Sequence, residues 1–156
     1  MNIRKARAED AEIIFALIIE LAIYEKAEHE VLTTVEEIRE TMFGVDSKTS
    51  ALIAEVDSKA VAYAVYFYNY STWLGKNGIY LEDIYVSPDY RHNGIGKALL
   101  KRIANIAVTN NCGRVEWSVL DWNTPAIDFY KSLGATPQDE WTVYRLTGDE
   151  LKNFAS

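Results

Sequence analysis

The amino-acid sequence predicts an α/β (α+β) fold, a mixed central β-sheet flanked by helices. Strand-like runs and helical periodicities share the first half of the chain, and from about residue 79 strands and helices alternate. No repeat, low-complexity tract or Pro/Gly/Ser-rich linker interrupts the 156 residues, so one domain over 1–156 with a substantial core is expected.

Asn2 to Ala6 reads as a first strand. A helix is expected from Glu9 to Tyr24, because Ile14, Leu17, Ile18, Leu21 and Tyr24 recur at three- and four-residue steps. A second helix is expected to begin at Thr33 or Thr34, each followed three residues later by a glutamate, as in a capping box. Val35, Ile38 and Met42 form its apolar stripe and Gly44 ends it. Ser50 to Val56 and Ala60 to Tyr70 read as strands around a turn at Asp57-Ser58-Lys59. A loop over Ser71 to Asn77 then leads to a strand from Ile79 to Val86. Beyond it are expected a helix from Ile95 to Val108, a strand from Val115 to Leu120 and a helix from Pro125 to Leu133. Pro125 suits a first helical turn and Gly134 an exit. A late strand, Trp141 to Leu146, and a short closing helix complete the reading.

Composition excludes more than it selects. Net charge is −7, which argues against nucleic-acid binding through the general field and is compatible with attracting a cation. No run is long and apolar enough to span a membrane, and no signal peptide is expected. The single cysteine, Cys112, allows no intrachain disulfide and is compatible with a cytoplasmic location. The two histidines, His29 and His92, show no metal-ligand spacing, so no metal is expected.

The chemistry is carried by the run from Leu81 to Lys97, where a strand enters a loop bearing Gly94 and Gly96 and then a helix. Unpaired N–H groups at a helix start, at the positive end of its dipole, make an anion site. Arg91 and Lys97 add positive charge. The dinucleotide pattern fails because Leu99 stands at its third glycine, and the P-loop pattern fails at Arg91 and Ala98. What remains is R-x-x-G-x-G, Arg91 to Gly96. Alone, it reads equally well as a glycine turn before an amphipathic helix.

A second strand-to-helix unit follows, with N-x-x-A-x-x-F-Y-x-x-x-G-A from Asn123 to Ala135. The pair resembles the signature of the GNAT acetyltransferases. Glu20 to Glu25, Trp73 to Lys76, Tyr80 to Asp83 and Phe129 to Lys131 extend the likeness from Ile3 to Leu151, to the spermidine/spermine and thialysine acetyltransferase branch. The resemblance implies acetyl-CoA as co-substrate. Its pyrophosphate would lie on Arg91, His92, Asn93, Gly94, Ile95, Gly96 and Lys97, its pantetheine arm along Ile84, Tyr85 and Val86, with Asn123, Pro125 and Ala126 also facing it. It further implies Tyr130 near the thioester sulfur, Tyr24, Glu25 and Glu82 at the amine, and a homodimer. Two residues depart from the pattern: His92, where a small residue is common, and Lys5, where the first strand often ends in proline.

An amine of pKa near 10 is almost wholly protonated at neutral pH and must lose a proton before attack. Glu82 and Asp83 are the candidate carboxylates. Alternation along a strand keeps both from one cavity unless a bulge intervenes, and the resemblance favours Glu82, with Asp83 either at the substrate or making a structural hydrogen bond. A main-chain N–H near Ile84 to Val86 would stabilise charge on the acyl oxygen, and Tyr130 would protonate the departing thiolate. In the aromatic run Tyr63, Tyr66, Phe67, Tyr68, Tyr70 and Trp73, alternation buries one set, while Tyr70 and Trp73 either wall an amine channel or join a dimer surface. The expected function is acetyl transfer to a small di- or polyamine or a thialysine-like amino acid. An acetyltransferase for a peptide amine or aminoglycoside-like compound, and a non-catalytic acyl-CoA sensor, are the alternatives.

Overall fold

The alternating apolar runs in the middle of the chain form a five-stranded sheet in the computed structural model, which describes residues 1–156. Two compact units divide the chain, Met1–Ser118 and Val119–Ser156. The first contains β1 (Asn2–Lys5), α1 (Ala11–Tyr24), α2 (Val35–Phe43), β2 (Thr49–Val56), β3 (Lys59–Ser71), β4 (Lys76–Val86), α3 (Ile95–Thr109) and β5 (Val115–Glu116). The second contains α4 (Thr124–Ser132) and α5 (Gly148–Ala155). The strand order is β1-β2-β3-β4-β5, antiparallel through β4, with β5 parallel to β4. The expected mixed sheet with flanking helices is therefore present.

Local chemistry accounts for the boundaries. Asp57 and Ser58 both take positive φ, 51° and 65°, the backbone of a two-residue hairpin that matches strand twist. Thr34 caps α2 by accepting the Glu37 N–H at 3.2 Å. α1 starts later than its periodicity suggests, behind a single 3-10 turn at Ala8–Asp10. The Asp10 carboxylate holds that turn by accepting the Arg7 N–H at 2.7 Å.

Both faces of the sheet are covered. On one, Ile14 and Leu17 of α1 and Ile38 of α2 pack on Ile53, Tyr63, Val65 and Tyr85. Each buried aliphatic there contributes about 1.5–3 kcal/mol. Residues of the opposite parity, such as Leu52, Ala62 and Ala64, are buried too, and α3 packs against β2, β3 and β4. Hence Tyr63 and Tyr66 are both buried although their side chains leave opposite faces of β3. Alternation in exposure resumes only where the helices no longer cover the strand, at Tyr68 and Tyr70.

Three expectations need correction. β4 begins at Lys76, not Ile79, because Ser71 closes a four-residue loop: it accepts the Gly75 N–H on its carbonyl at 2.9 Å and the Leu74 N–H on its hydroxyl at 3.1 Å. β5 spans only Val115–Glu116, because its parallel pairing is limited to Ile79↔Val115 and Tyr80↔Glu116. Trp141 to Leu146 forms no strand. That segment alternates correctly, but no sheet edge pairs with it, and Val143 and Tyr144 are exposed.

Candidate active site

The segment that carries the carboxylates is irregular. β3 and β4 pair as Val65↔Asp83 and then Tyr66↔Leu81, which leaves Glu82 as the extra residue of a β-bulge. Cross-strand partners share a face, so Asp83 lies with Val65 on the α1 side while Leu81 lies with Tyr66 on the α3 side. Without the bulge Leu81 and Asp83 would face the same way. The bulge also separates β4 from its parallel partner: from Leu81 to Val86 no strand pairs with the edge of β4 away from β3. The main-chain groups of Ile84 and Val86 turn toward that edge, those of Tyr85 toward Tyr63 of β3. An open edge of this kind suits a peptide-like arm.

Asp83 is partly buried and accepts the Tyr63 hydroxyl at 2.8 Å. Burial raises its carboxyl above the usual carboxylate range, and the Tyr63 hydrogen bond works against that rise. Glu25, the residue after α1, is also raised, first by burial and then by the negative charge of Asp83. The two carboxyls are thus electrostatic neighbours. Tyr63 is fully buried, and its phenol is driven upward by burial and by Asp83 and Glu25.

Next to this pair the end of α1 meets the loop after β4. The Arg91 guanidinium lies 4.9 Å from the centroid of the Tyr24 ring and 5.3 Å from that of Tyr85, between two aromatic faces. Its Nε donates to the Val86 carbonyl at 2.8 Å. Tyr85 and Ser87 hydroxyls both donate to Glu20 Oε1, at 3.3 and 2.9 Å. Burial raises the Tyr85 phenol, followed by the charge of Glu20. Arg91, expected as one positive charge for phosphate, is therefore also the pin joining α1 to the glycine loop.

In that loop His92 and Gly94 both occupy left-handed backbone, φ 65° and 79°. This gives a physical reason for a small residue to suit position 92, since a side chain is strained there. Gly94 caps α3 without a side chain, and the first i→i−4 bond is Ala98 N–H to the Gly94 carbonyl at 3.0 Å. A Cβ on Gly96 would meet only Val86 Cγ2, at an ordinary 3.8 Å. Nothing within the protein demands glycine at 96, in a helix where it costs about 1 kcal/mol against alanine. A ligand lying over Ile95, Gly96 and Lys97 would demand it. The loop thus fits the phosphates of acetyl-CoA.

The remaining residues divide by position. Asn123 is buried and precedes α4, accepting the Ile127 N–H on its carbonyl at 3.0 Å. Pro125 and Ala126 form the first turn of α4, and Tyr130 lies in its last turn, with its ring 5.8 Å from that of Phe129. These four belong to the unit 119–156. Trp73 is not brought to the carboxylates. It sits 88% exposed at the β3–β4 hairpin tip, roughly 20 Å along the strand from the Val65–Asp83 pair at about 3.3 Å per residue. Sequence reasoning missed Tyr63, Glu20 and Ser87 as members of this cluster. The signal available was the spacing of Tyr63 two residues before Val65, once the strand register is known.

Residues 14–135 match the Acetyltransferase (GNAT) family. Thialysine N-epsilon-acetyltransferase of Mus musculus is 39% identical over 165 aligned positions, covering 99% of this chain and 96% of its own. The spermidine/spermine N(1)-acetyltransferase-like protein 1 of Homo sapiens is 35% identical over 99% of this chain, which covers 24% of that protein. Among solved structures, an integron cassette protein from the mobile metagenome of V. cholerae superposes with a TM-score of 0.83 at 27% identity, covering 99% of this chain and 96% of its own. Two strand-to-helix units, an open β4 edge, a glycine loop that fits phosphates and a match over 14–135 lead to one conclusion: the chain belongs to the GNAT family and is an acetyl-transferring enzyme.

Proposed function

We propose that the chain transfers the acetyl group of acetyl-CoA to a primary amine of a small di- or polyamine or a thialysine-like amino acid. The observation that carries the reading is the carboxylate pair Glu25 and Asp83 beside the Tyr24 and Tyr85 rings. Two carboxyls raised by burial, Glu25 also by the charge of Asp83, favour a cation with more than one charge. The names of the relatives at 39% and 35% identity support the same class of acceptor.

In this reading the N–H groups at the start of α3, with Arg91 to Lys97, hold the pyrophosphate, and the open edge of β4 at Ile84, Tyr85 and Val86 holds the pantetheine arm. Asn123, Pro125 and Ala126 complete the donor site. Glu82, on the bulge, accepts the proton of the attacking amine directly or through water. A β4 N–H supports the negative charge building on the acyl oxygen. Tyr130 gives its phenolic proton to the departing thiolate. Tyr24, Glu25 and Asp83 hold the second, charged amine, and Trp73 serves the contact in a homodimer. On this reading residues 1–156 are one N-acetyltransferase domain, and the family match over 14–135 includes residues of both compact units. A cytoplasmic location goes with this reading.

Release of free thiol from acetyl-CoA, measured against a panel of diamines, matched monoamines, thialysine, peptide amines and an aminoglycoside, tests it. The diamines and thialysine are expected to exceed monoamines by about ten- to hundredfold in kcat/KM, the scale of one charge-assisted contact. Equal values would remove this acceptor class, and no thiol release with any amine would favour a sensor. Tyr130→Phe is expected to keep donor affinity and lower kcat by about 10²–10⁴. Full turnover in that variant would hand protonation to water.

A further inference from the structure

We propose that Tyr63 is a positioning residue for the acceptor site: its buried hydroxyl orients Asp83 so that the carboxylate stands ionised beside Glu25 and takes the charged amine of the acceptor. This rests on the di- or polyamine reading above. No part of the transfer chemistry needs Tyr63, and its place in β3 suggests only a core aromatic.

Three observations carry the assignment. Tyr63 has no exposed surface, so its phenol was brought into the core with one polar atom that requires a partner. That partner is Asp83 Oδ2, at 2.8 Å. The register makes this possible: Tyr63 pairs with Tyr85 and Val65 with Asp83, so Tyr63 and Asp83 are diagonal neighbours on one face. The bulge at Glu82 is what turns Asp83 to that face. A phenylalanine at 63 would fill the same space without the hydroxyl, so the core alone does not select tyrosine.

The surroundings of Asp83 give the hydrogen bond its role. Glu25 faces it from the end of α1, Tyr63 from β3, and Tyr85 follows on the same face of β4, with Glu20 and Arg91 beyond it. Burial favours the neutral acid at Asp83. The hydrogen bond from Tyr63 opposes burial at this carboxyl. A donated phenolic proton stabilises the anion and also fixes one oxygen, leaving the other to meet an ammonium group. Such a contact acts on binding of the charged amine and leaves the attacking amine alone.

The test is Tyr63→Phe in the full chain, with two readouts. Carbon-13 NMR of the Asp83 carboxyl, assigned with Asp83→Asn, is expected to show its titration midpoint raised by about one pH unit, the equivalent of a roughly tenfold loss of preference for the anion. An unmoved midpoint would overturn the proposal. Kinetically, KM for a diamine is expected to rise about tenfold, with the acid limb of kcat/KM displaced upward in pH, while kcat and the monoamine KM hold. An equal loss for both amines would show a merely structural tyrosine. In an Asp83→Asn background the same substitution should change neither KM, and a further tenfold loss there would also overturn the assignment. If the unaltered enzyme treats diamine and monoamine alike, the acceptor reading falls by itself, and the NMR midpoint still decides the role of Tyr63.

Discussion

Asp10 and Asp83 are both withdrawn from water in the first unit, yet they stand in opposite electrostatic conditions. Asp10 sits at the corner where β1 meets α1. It accepts Arg4 Nη1 and Nη2, each at 2.8 Å, and the Arg7 N–H at 2.7 Å. The Arg4 hydrogen bonds lower its carboxyl despite burial, and Arg4 is raised in return while also bonding Glu55. Asp83 is raised by burial, against the one hydrogen bond it accepts from the neutral Tyr63 hydroxyl, and its charge in turn raises Glu25. The first corner is satisfied and structural. The second holds a carboxyl that burial pushes toward the neutral form, a condition that a bound cation would relieve.

The largest expected effect breaks the first corner. Asp10→Ala removes a bidentate partner and leaves Arg4 with Glu55 alone. Loss of one member of a buried pair costs about 3–5 kcal/mol, and because Arg4 retains Glu55 and some solvent, about 3 kcal/mol is expected. Urea unfolding measures it. A loss below about 1 kcal/mol would place the pair with ordinary surface bridges. Donor and acceptor KM of the folded fraction should not move.

The corresponding change in the second corner should behave in the opposite way. Asp83→Asn is expected to leave stability unchanged or slightly raised, while kcat/KM for a diamine falls about ten- to hundredfold and the monoamine value holds. The pH dependence of stability sharpens the contrast. Asp10 has a folded pKa below its unfolded value of about 3.9, so its contribution is present above that value and is lost as pH falls through the folded pKa. Asp83 has a folded pKa above its unfolded value, so its contribution is present at low pH and is lost as pH rises through the folded pKa. Asp10→Asn should therefore flatten the acid side of the curve, and Asp83→Asn should remove a decline as pH rises out of the acid range. Identical pH curves for the two variants would erase the distinction.

The sequence made some of this visible and hid the rest for a physical reason. Local chemistry was legible: the Thr34 cap, the turn at Asp57-Ser58 and the glycine loop before α3 all act within four residues. The candidate carboxylates were legible as residue types, and alternation gave the condition, a bulge, under which both could serve one site. What could not be read was pairing. The register shift opposite Val65 and the Tyr63–Asp83 bond, 20 residues apart, depend on how β3 meets β4. Glu20 and Tyr85 are 65 residues apart and meet only after α1 packs on the sheet. The same cause explains the errors at β5 and at Trp141 to Leu146: a period of two marks residues able to form a strand, but a partner edge decides whether one forms.

The smallest expected effect concerns Glu25, the more solvated member of the pair. Its carboxyl is raised by burial and by Asp83, and coupling between two charges is reciprocal. Glu25→Gln should therefore lower the Asp83 titration midpoint, opposite in sign to the effect of Tyr63→Phe. It should also weaken the hold on a second ammonium group. Because Glu25 is reached by solvent, screening limits the loss to about 0.5–1 kcal/mol, or roughly two- to fivefold in the diamine-to-monoamine ratio of kcat/KM. Raising the salt concentration should shrink the ratio in the unaltered enzyme more than in the variant, since the variant has already lost one of the two charges being screened. A ratio that Glu25→Gln leaves untouched, with an Asp83 midpoint that does not fall, would separate the two carboxylates and leave Asp83 to hold the charged amine alone.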